Sequence, residues 1–184
     1  MRAMRFAALI LVASLGAAAS GSNALAQTQQ QSMSALKGHN SDAPIDVTAQ
    51  RIEVQDRADR AVFAGAVHVT QSDLTLDTDR LTVAYSGGAN SNVQIRRLDA
   101  SGGVVVRSPS ETARGDFGIY DLDRKLITLL GNVKLLRDQN QVSGARLVID
   151  LESGRAVIDG GPPGVNETGG RVTGHFTVPQ RRQR

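Results

Sequence analysis

Leu74-Thr75-Leu76-Asp77 and, after Thr78-Asp79-Arg80, Leu81-Thr82-Val83-Ala84-Tyr85 put an apolar side chain at every second position. A period of two belongs to a strand with one dry and one wet face, not to a helix. The same alternation runs through Arg51-Ile52-Glu53-Val54-Gln55, Val67-His68-Val69, Val93-Gln94-Ile95-Arg96, Phe117-Gly118-Ile119, Val133-Lys134-Leu135 and Leu147-Val148-Ile149-Asp150. Turn-forming clusters punctuate these runs: residues 56–59, 71–73, 86–90, 108–110, 121–124, 138–140 and 152–154. Gly, Pro, Asn, Asp and Ser dominate such clusters because they tolerate the backbone angles of tight turns. No segment after residue 40 carries a helical stripe. Short strands at regular spacing predict an all-β sandwich, barrel or roll.

The chain also repeats itself. Ala64-Gly65-Ala66-Val67-His68-Val69 returns as Leu130-Gly131-Asn132-Val133-Lys134-Leu135, and Arg80-Leu81-Thr82-Val83 returns at the same shift as Arg146-Leu147-Val148-Ile149. A third Gly-x-Val element stands at Gly102-Gly103-Val104-Val105-Val106. Each copy sets glycine before an alternating strand, where a bulge or tight bend lets the chain turn a corner. Units of this kind bury their apolar faces only by stacking on one another. Stacking would line an elongated interior with Val, Ile and Leu and leave open edge strands at either end.

The flanks have a different character. Arg2 and Arg5 precede Phe6 to Ala19, an uncharged apolar run too short to cross a bilayer, and Ala24-Leu25-Ala26 offers a signal-peptidase site with Gln27 as the new N-terminus. Residues 27–43 are rich in Gln and Ser and read as a disordered linker. Residues 44–160 form the folded domain, and 161–184, ending Arg181-Arg182-Gln183-Arg184, read as a disordered basic tail. That tail is either a solvated end or a contact for lipid phosphates and anionic membrane faces. The chain has no cysteine, so it carries neither a lipidated N-terminal Cys nor a disulfide.

Charge and composition exclude some functions. Whole-chain charge is +3, but residues 44–160 hold 14 Lys/Arg against 16 Asp/Glu, so the domain is slightly acidic and offers no face for nucleic acid. Its aromatics are few, Phe63, Tyr85, Phe117 and Tyr120, too few for a base-stacking platform. Ser34-Ala35-Leu36-Lys37 spells an acylating motif without partner motifs. Arg114-Gly115-Asp116 reads as a turn, and Asn166-Glu167-Thr168 as a chance sequon behind a bacterial type of signal. His39 and His175 lie in the flanks and His68 points outward from its strand, so no metal cluster forms. Asp77 and Asp79 read as a solvated edge. The residues compose no catalytic arrangement and imply no cofactor.

Taken in order, Ala49-Gln50-Arg51-Ile52-Glu53, Phe63-Ala64-Gly65-Ala66-Val67-His68-Val69 and Leu74-Thr75-Leu76-x-x-Asp79-Arg80-Leu81-Thr82-Val83 resemble the OstA-like module of lipopolysaccharide-transport proteins. Ile95-Arg96-Arg97-Leu98-Asp99-Ala100-Ser101-Gly102-Gly103-Val104 and Ala113-Arg114-Gly115-Asp116 are similar to its second part. The resemblance implies a β-jelly-roll with a V-shaped, taco-like section, open at both ends, whose groove takes the acyl chains of lipid A. It implies as partners lipopolysaccharide, the inner-membrane and outer-membrane transport proteins, and further copies joined end to end. The cleavable signal favours the periplasmic bridge of that family. An anchored inner-membrane relative, or a β-repeat assembly protein without lipid cargo, is the alternative. Val47, Ile52, Val54, Val67, Val69, Leu74, Leu76, Leu81, Val83, Ile95, Val104, Val106, Phe117, Ile119, Val133, Leu135, Leu147 and Ile149 are expected to face the groove. Ile45, Val47, Val157 and Ile158 are expected to supply the edge contacts.

Overall fold

The computed structural model describes residue 36 and residues 39–87, 93–161 and 170–178. Residues 1–26, read from sequence as a signal, the Ser34–Lys37 motif apart from Leu36, the Asn166–Thr168 motif and the terminal Arg181–Arg184 lie outside the described residues. Among the described residues ten strands follow one another: β1 (Asp46–Thr48), β2 (Arg51–Gln55), β3 (Arg60–Gln71), β4 (Leu74–Ser86), β5 (Gln94–Arg107), β6 (Glu111–Asp121), β7 (Leu126–Arg137), β8 (Asn140–Asp150), β9 (Arg155–Asp159) and β10 (Thr173–His175). All pair antiparallel in one sheet, in the order β1-β3-β4-β5-β6-β7-β8-β10, with β2 also on β3 and β9 also on β8. The sheet does not close on itself.

The strands are longer than the alternating runs suggested, because each glycine element lies inside a strand and not at its start. The register shifts between Ala64 and Val67 in β3, Asp77 and Arg80 in β4, Ser101 and Val104 in β5, Arg114 and Phe117 in β6, and Leu130 and Val133 in β7. These bulges line up across the sheet and crease it into two leaves. One leaf runs from β2 to β9 and the other from β1 to β10, with β3 to β8 crossing the crease. The sequence repeat is a conformational repeat: Gly65-Ala66 and Gly131-Asn132 share left-handed φ values of 82°/45° and 76°/45°. Glycine takes the first of these positions because a side chain there is strained and has no room. A Cβ on Gly131 would meet the Asp116 carboxylate at 2.4 Å, and one on Gly65 would meet the Gln50 side chain at the same distance.

Inner side chains stack in rows across each leaf. Ile52, Phe63, Leu81, Ala100, Gly118, Leu129, Leu147 and Ile158 are successive cross-strand neighbours on the β2–β9 leaf. Val47, Val69, Leu76, Val106, Ala113, Leu135 and Val142 are their counterparts on the other. The two inner faces form one core, in which Leu81, Val104, Leu129 and Leu147 are fully buried. Burying each such side chain contributes about 1.5–3 kcal/mol.

Parts of the flanks also join the fold. Residues 39–43, read from sequence as linker, lie against the sheet, and Leu36 is buried with the core. Within the segment read as tail, β10 pairs with Gln141–Ser143 of β8 and extends the last edge of its leaf. A three-residue strand of Thr, Gly and His carries no periodic signal, so its pairing was invisible before the partner strand was in place.

Candidate functional site

The site is the slit between the leaves. Eleven of the residues expected to face it are buried: Val67, Val69, Leu74, Leu76, Leu81, Val83, Val104, Val106, Val133, Leu147 and Ile149. Val47, Ile95 and Leu135 pack against them half-buried, as do Ile45 and Ile158 at the edges. Ile52 and Val54 lie in the inner rows but sit on the first edge, where they are 55% and 57% exposed. Val157 points outward on the last edge.

Phe117 and Ile119 require correction, because both lie on the outer face. The alternation of β6 reverses where it crosses the crease, opposite the Gly131-Asn132 bulge of β7, so its inward positions are Glu111, Ala113, Gly115, Gly118 and Tyr120. Packing explains the choice of phase. A Cβ on Gly118 would already meet Val104 at 3.0 Å and Leu129 at 3.2 Å, so no phenylalanine fits at that layer. Sequence reasoning also missed the inner residues Leu98, Tyr120, Ile127 and Leu129.

Between β7–β8 and β9 the slit holds a cavity of about 240 Å³ lined by Leu135, Val142, Ala156 and Ile158, with Glu111, Arg137 and Asn140 at its polar end. Glu111 is buried, and its Oε2 has no hydrogen-bond partner. Arg137 stands 3.5 Å from Oε1. Burial raises the Glu111 carboxyl above its ordinary range, against the opposing pull of Arg137 and of the Leu36 backbone N–H. At β3–β6 the leaves meet closely instead. There Ile45, Val69, Gln71, Leu74, Leu76, Leu98 and Tyr120 enclose a gap of only about 10 Å³.

A polar cluster closes this part of the mouth. Tyr120, from one leaf, donates its hydroxyl to Gln71 Oε1, from the other, at 2.9 Å. Burial pushes the Tyr120 phenol up to about 12. Gln71 Nε2 donates to the Ser41 and Ala43 carbonyls at 2.9 and 3.0 Å. His39, whose side chain is 1% exposed, places Nδ1 2.9 Å from Asp73 Oδ1 and Nε2 3.2 Å from Gln71 Oε1. The His39 hydrogen bond holds the Asp73 carboxyl below the usual carboxylate range. Gln71 and Glu111 each continue the period-two phase of the buried residues in their strands, a signal that could have placed them inside.

Outside the slit, His68 and Arg107 both bond the Asp77 carboxylate, His68 at 2.6 Å. Burial alone would raise that carboxyl, but these two bonds outweigh it and hold it low. Asp79 packs against Gly102 in the crease, and Asp116 accepts a bond from Asn132 Nδ2 at 3.0 Å. Asp79 and Asp116 thus lie against bulges within strands, and Asp116 is not the turn residue that the Arg114-Gly115-Asp116 reading expected. Among the described residues no group of His, Cys, Asp and Glu could hold a metal ion.

Comparison with known proteins agrees with this architecture. Residues 46–155 match the family described as LptA/(LptD N-terminal domain) LPS transport protein. An uncharacterised protein of Rhizobium meliloti (strain 1021) is 34% identical over 160 residues, spanning 84% of this chain and 86% of that protein. The crystal structure of LptH, described as the LptA-homologous periplasmic component of the lipopolysaccharide transport device of Pseudomonas aeruginosa, superposes with a TM-score of 0.65 at 18% identity. That match covers 76% of this chain and 99% of LptH. With the creased open sheet, its inner rows and a family match across nearly the whole roll, the chain belongs to the LptA/LptD N-terminal-domain family of lipopolysaccharide transport proteins.

Proposed function

We propose that this protein is an exported periplasmic carrier that holds the acyl chains of lipopolysaccharide between its two leaves. On this reading it hands them on between inner- and outer-membrane transport components. The observation that carries the reading is the unfilled apolar cavity beside β9, in an otherwise densely packed interior. A scaffold without cargo would fill that space, because empty volume forfeits packing contacts. The exposed Ile52 and Val54 on the first edge and the β9 and β10 strands on the last support end-to-end joining by strand addition. Cleavage after Ala26 would release the carrier from the inner membrane.

The test is a photo-crosslinking series in cells. Crosslinkers at Val106, Leu135, Val142 and Ile158 are expected to capture lipopolysaccharide, whereas those at Thr82, Phe117, Ile119 and Lys134, on the opposite face, are not. Mass spectrometry of lipid co-purifying with the mature protein provides the second readout. Equal labelling of both faces with no co-purifying lipid would leave the assembly-protein reading in its place.

A further inference from the structure

The cluster built on residues 39–43 spans the mouth of the slit and ties the two rims together. Its attachment to the β1–β10 leaf is through Gln71 and Asp73, at the β3–β4 turn. Its attachment to the β2–β9 leaf is the ion pair of Asp42 with Lys125, in the β6–β7 turn, at 3.4 Å. Beside it Tyr120 bridges the leaves directly, donating to the same Gln71 amide to which the segment is tied. Both attachments lie at strand ends far from the crease, where a tie resists opening with the longest lever arm. The Gln71 amide has a partner at each of its atoms, Oε1 facing the Tyr120 hydroxyl and His39 Nε2 and Nε2 donating to two backbone carbonyls, while His39 Nδ1 lies within hydrogen-bond distance of Asp73. Buried polar groups that are all satisfied rigidify what they join.

Space beneath this segment is scarce. The seam at β3–β6 holds about 10 Å³, roughly one water, whereas the uncovered part beside β9 holds about 240 Å³. Sites that bury most of a drug-sized ligand run to about 300–1,000 Å³. A long aliphatic chain therefore outgrows the existing cavity, and more room along the slit comes from parting the rims that residues 39–43 and the Tyr120–Gln71 bond hold together.

We propose that residues 39–43 are a releasable strap: the slit is closed over β3–β6 until the strap lets go, and a long-chain amphiphile starts in the cavity beside β9 and extends under the strap as it opens. The proposal rests on the lipid-carrier reading and adds a gate to it.

The native chain has no cysteine, so a double variant, Asp42→Cys with Lys125→Cys, carries a single possible bridge. In the mature protein the two thiols are joined by a short reducible thiol-to-thiol linker, and uptake of anthroyloxy-labelled stearate is followed by stopped flow. Linked protein is expected to take up the probe at least about tenfold more slowly than reduced protein, the factor that one or two buried hydrogen bonds supply. Gln71→Leu removes the latch while keeping an apolar side chain at the seam, and is expected to take up the probe about tenfold faster than wild type. Backbone N–H groups of Asp42 and Ala43 are hydrogen-bonded to Asn40 within the strap and that of His39 to the Leu36 carbonyl just before it, so their hydrogen exchange should accelerate when stearate binds to wild type. Equal uptake by linked and reduced protein, or slower exchange at these amides in the complex, overturns the strap as a gate while leaving the carrier intact. Failure of the reduced variant, Gln71→Leu and wild type all to bind stearate or lipopolysaccharide overturns the carrier itself and the gate with it.

Discussion

Glu111 stands in the inner row of β6 with one carboxylate oxygen unsatisfied, facing Leu135 and Val142 across the cavity. An acid whose folded pKa is raised binds its proton more tightly folded than unfolded. Its protonated form is tolerated below the unfolded value, and stability falls as pH rises from there through the folded value. Glu111→Gln removes the buried charge and keeps the shape. It is expected to stabilise the protein by about 1 kcal/mol at pH 7 and to change little below about pH 4, as read from urea midpoints at the two pH values. A variant no more stable at pH 7 would show that Arg137 repays the whole desolvation cost. Asp73 behaves oppositely. Its carboxyl is held low by His39, so its contribution is present above the unfolded value and is lost as pH falls through the folded one. His39→Leu should therefore lessen the loss of stability on acidification below about pH 4, which a melting series in acid would reveal.

At the scale of the strand, bulges decide which residues matter. Leu129 is fully buried opposite Gly118, while Phe117, one residue away on the same strand as Gly118, is 55% exposed. Leu129→Ala should cost about 3 kcal/mol, whereas Phe117→Ser should stay within about 0.5 kcal/mol, judged by urea denaturation. Similar losses at both sites would restore the uninterrupted alternation. Gly131 sets the crease of β7, with a left-handed φ and the Asp116 carboxylate in the space of its missing Cβ. Gly131→Val adds a β-branched side chain to that conformation and should cost at least about 2 kcal/mol. Its repeat partner Gly65 faces Gln50 in the same way, so Gly65→Val should lower the melting temperature comparably.

For the whole molecule, the decisive property is a sheet that creases but never closes. Its first edge presents β1 and β2 and its last presents β9 and β10, so backbone N–H and C=O groups are on offer at both ends. Pro44 stands just before the first edge, and Gly160 and Gly161 follow the last, leaving both edge strands free of proline. Sedimentation of the mature protein over a concentration series should show reversible end-to-end association. Val47→Pro with Ile158→Pro should leave a monomer with an unaltered circular dichroism spectrum, because each proline removes a donor at a pairing edge. A wild type that stays monomeric at high concentration and binds no partner edge would leave a solitary carrier.

Strand type, turn positions and the two long repeats were legible in the sequence, because alternation and glycine spacing are local and each residue type bears its own backbone cost. An all-β sandwich, barrel or roll followed from them, and the family resemblance implied the open roll among these. What a local reading could not supply was phase. At the crease the inward phase of β6 inverts opposite the bulges of its neighbours, and its choice of phase depends on the room left by Val104 and Leu129 on the neighbouring strands. That contact turned Phe117 and Ile119 outward. The strap and β10 escaped for a related reason. Both are short polar segments with no period of their own, and their order comes from partners distant in the chain: Gln71 and Asp73 for residues 39–43, and Gln141–Ser143 for β10. Sequence determined which of the long stretches are strands; only the tertiary structure decided which faces those strands turn to the slit, that β10 joins them, and what lies across the mouth.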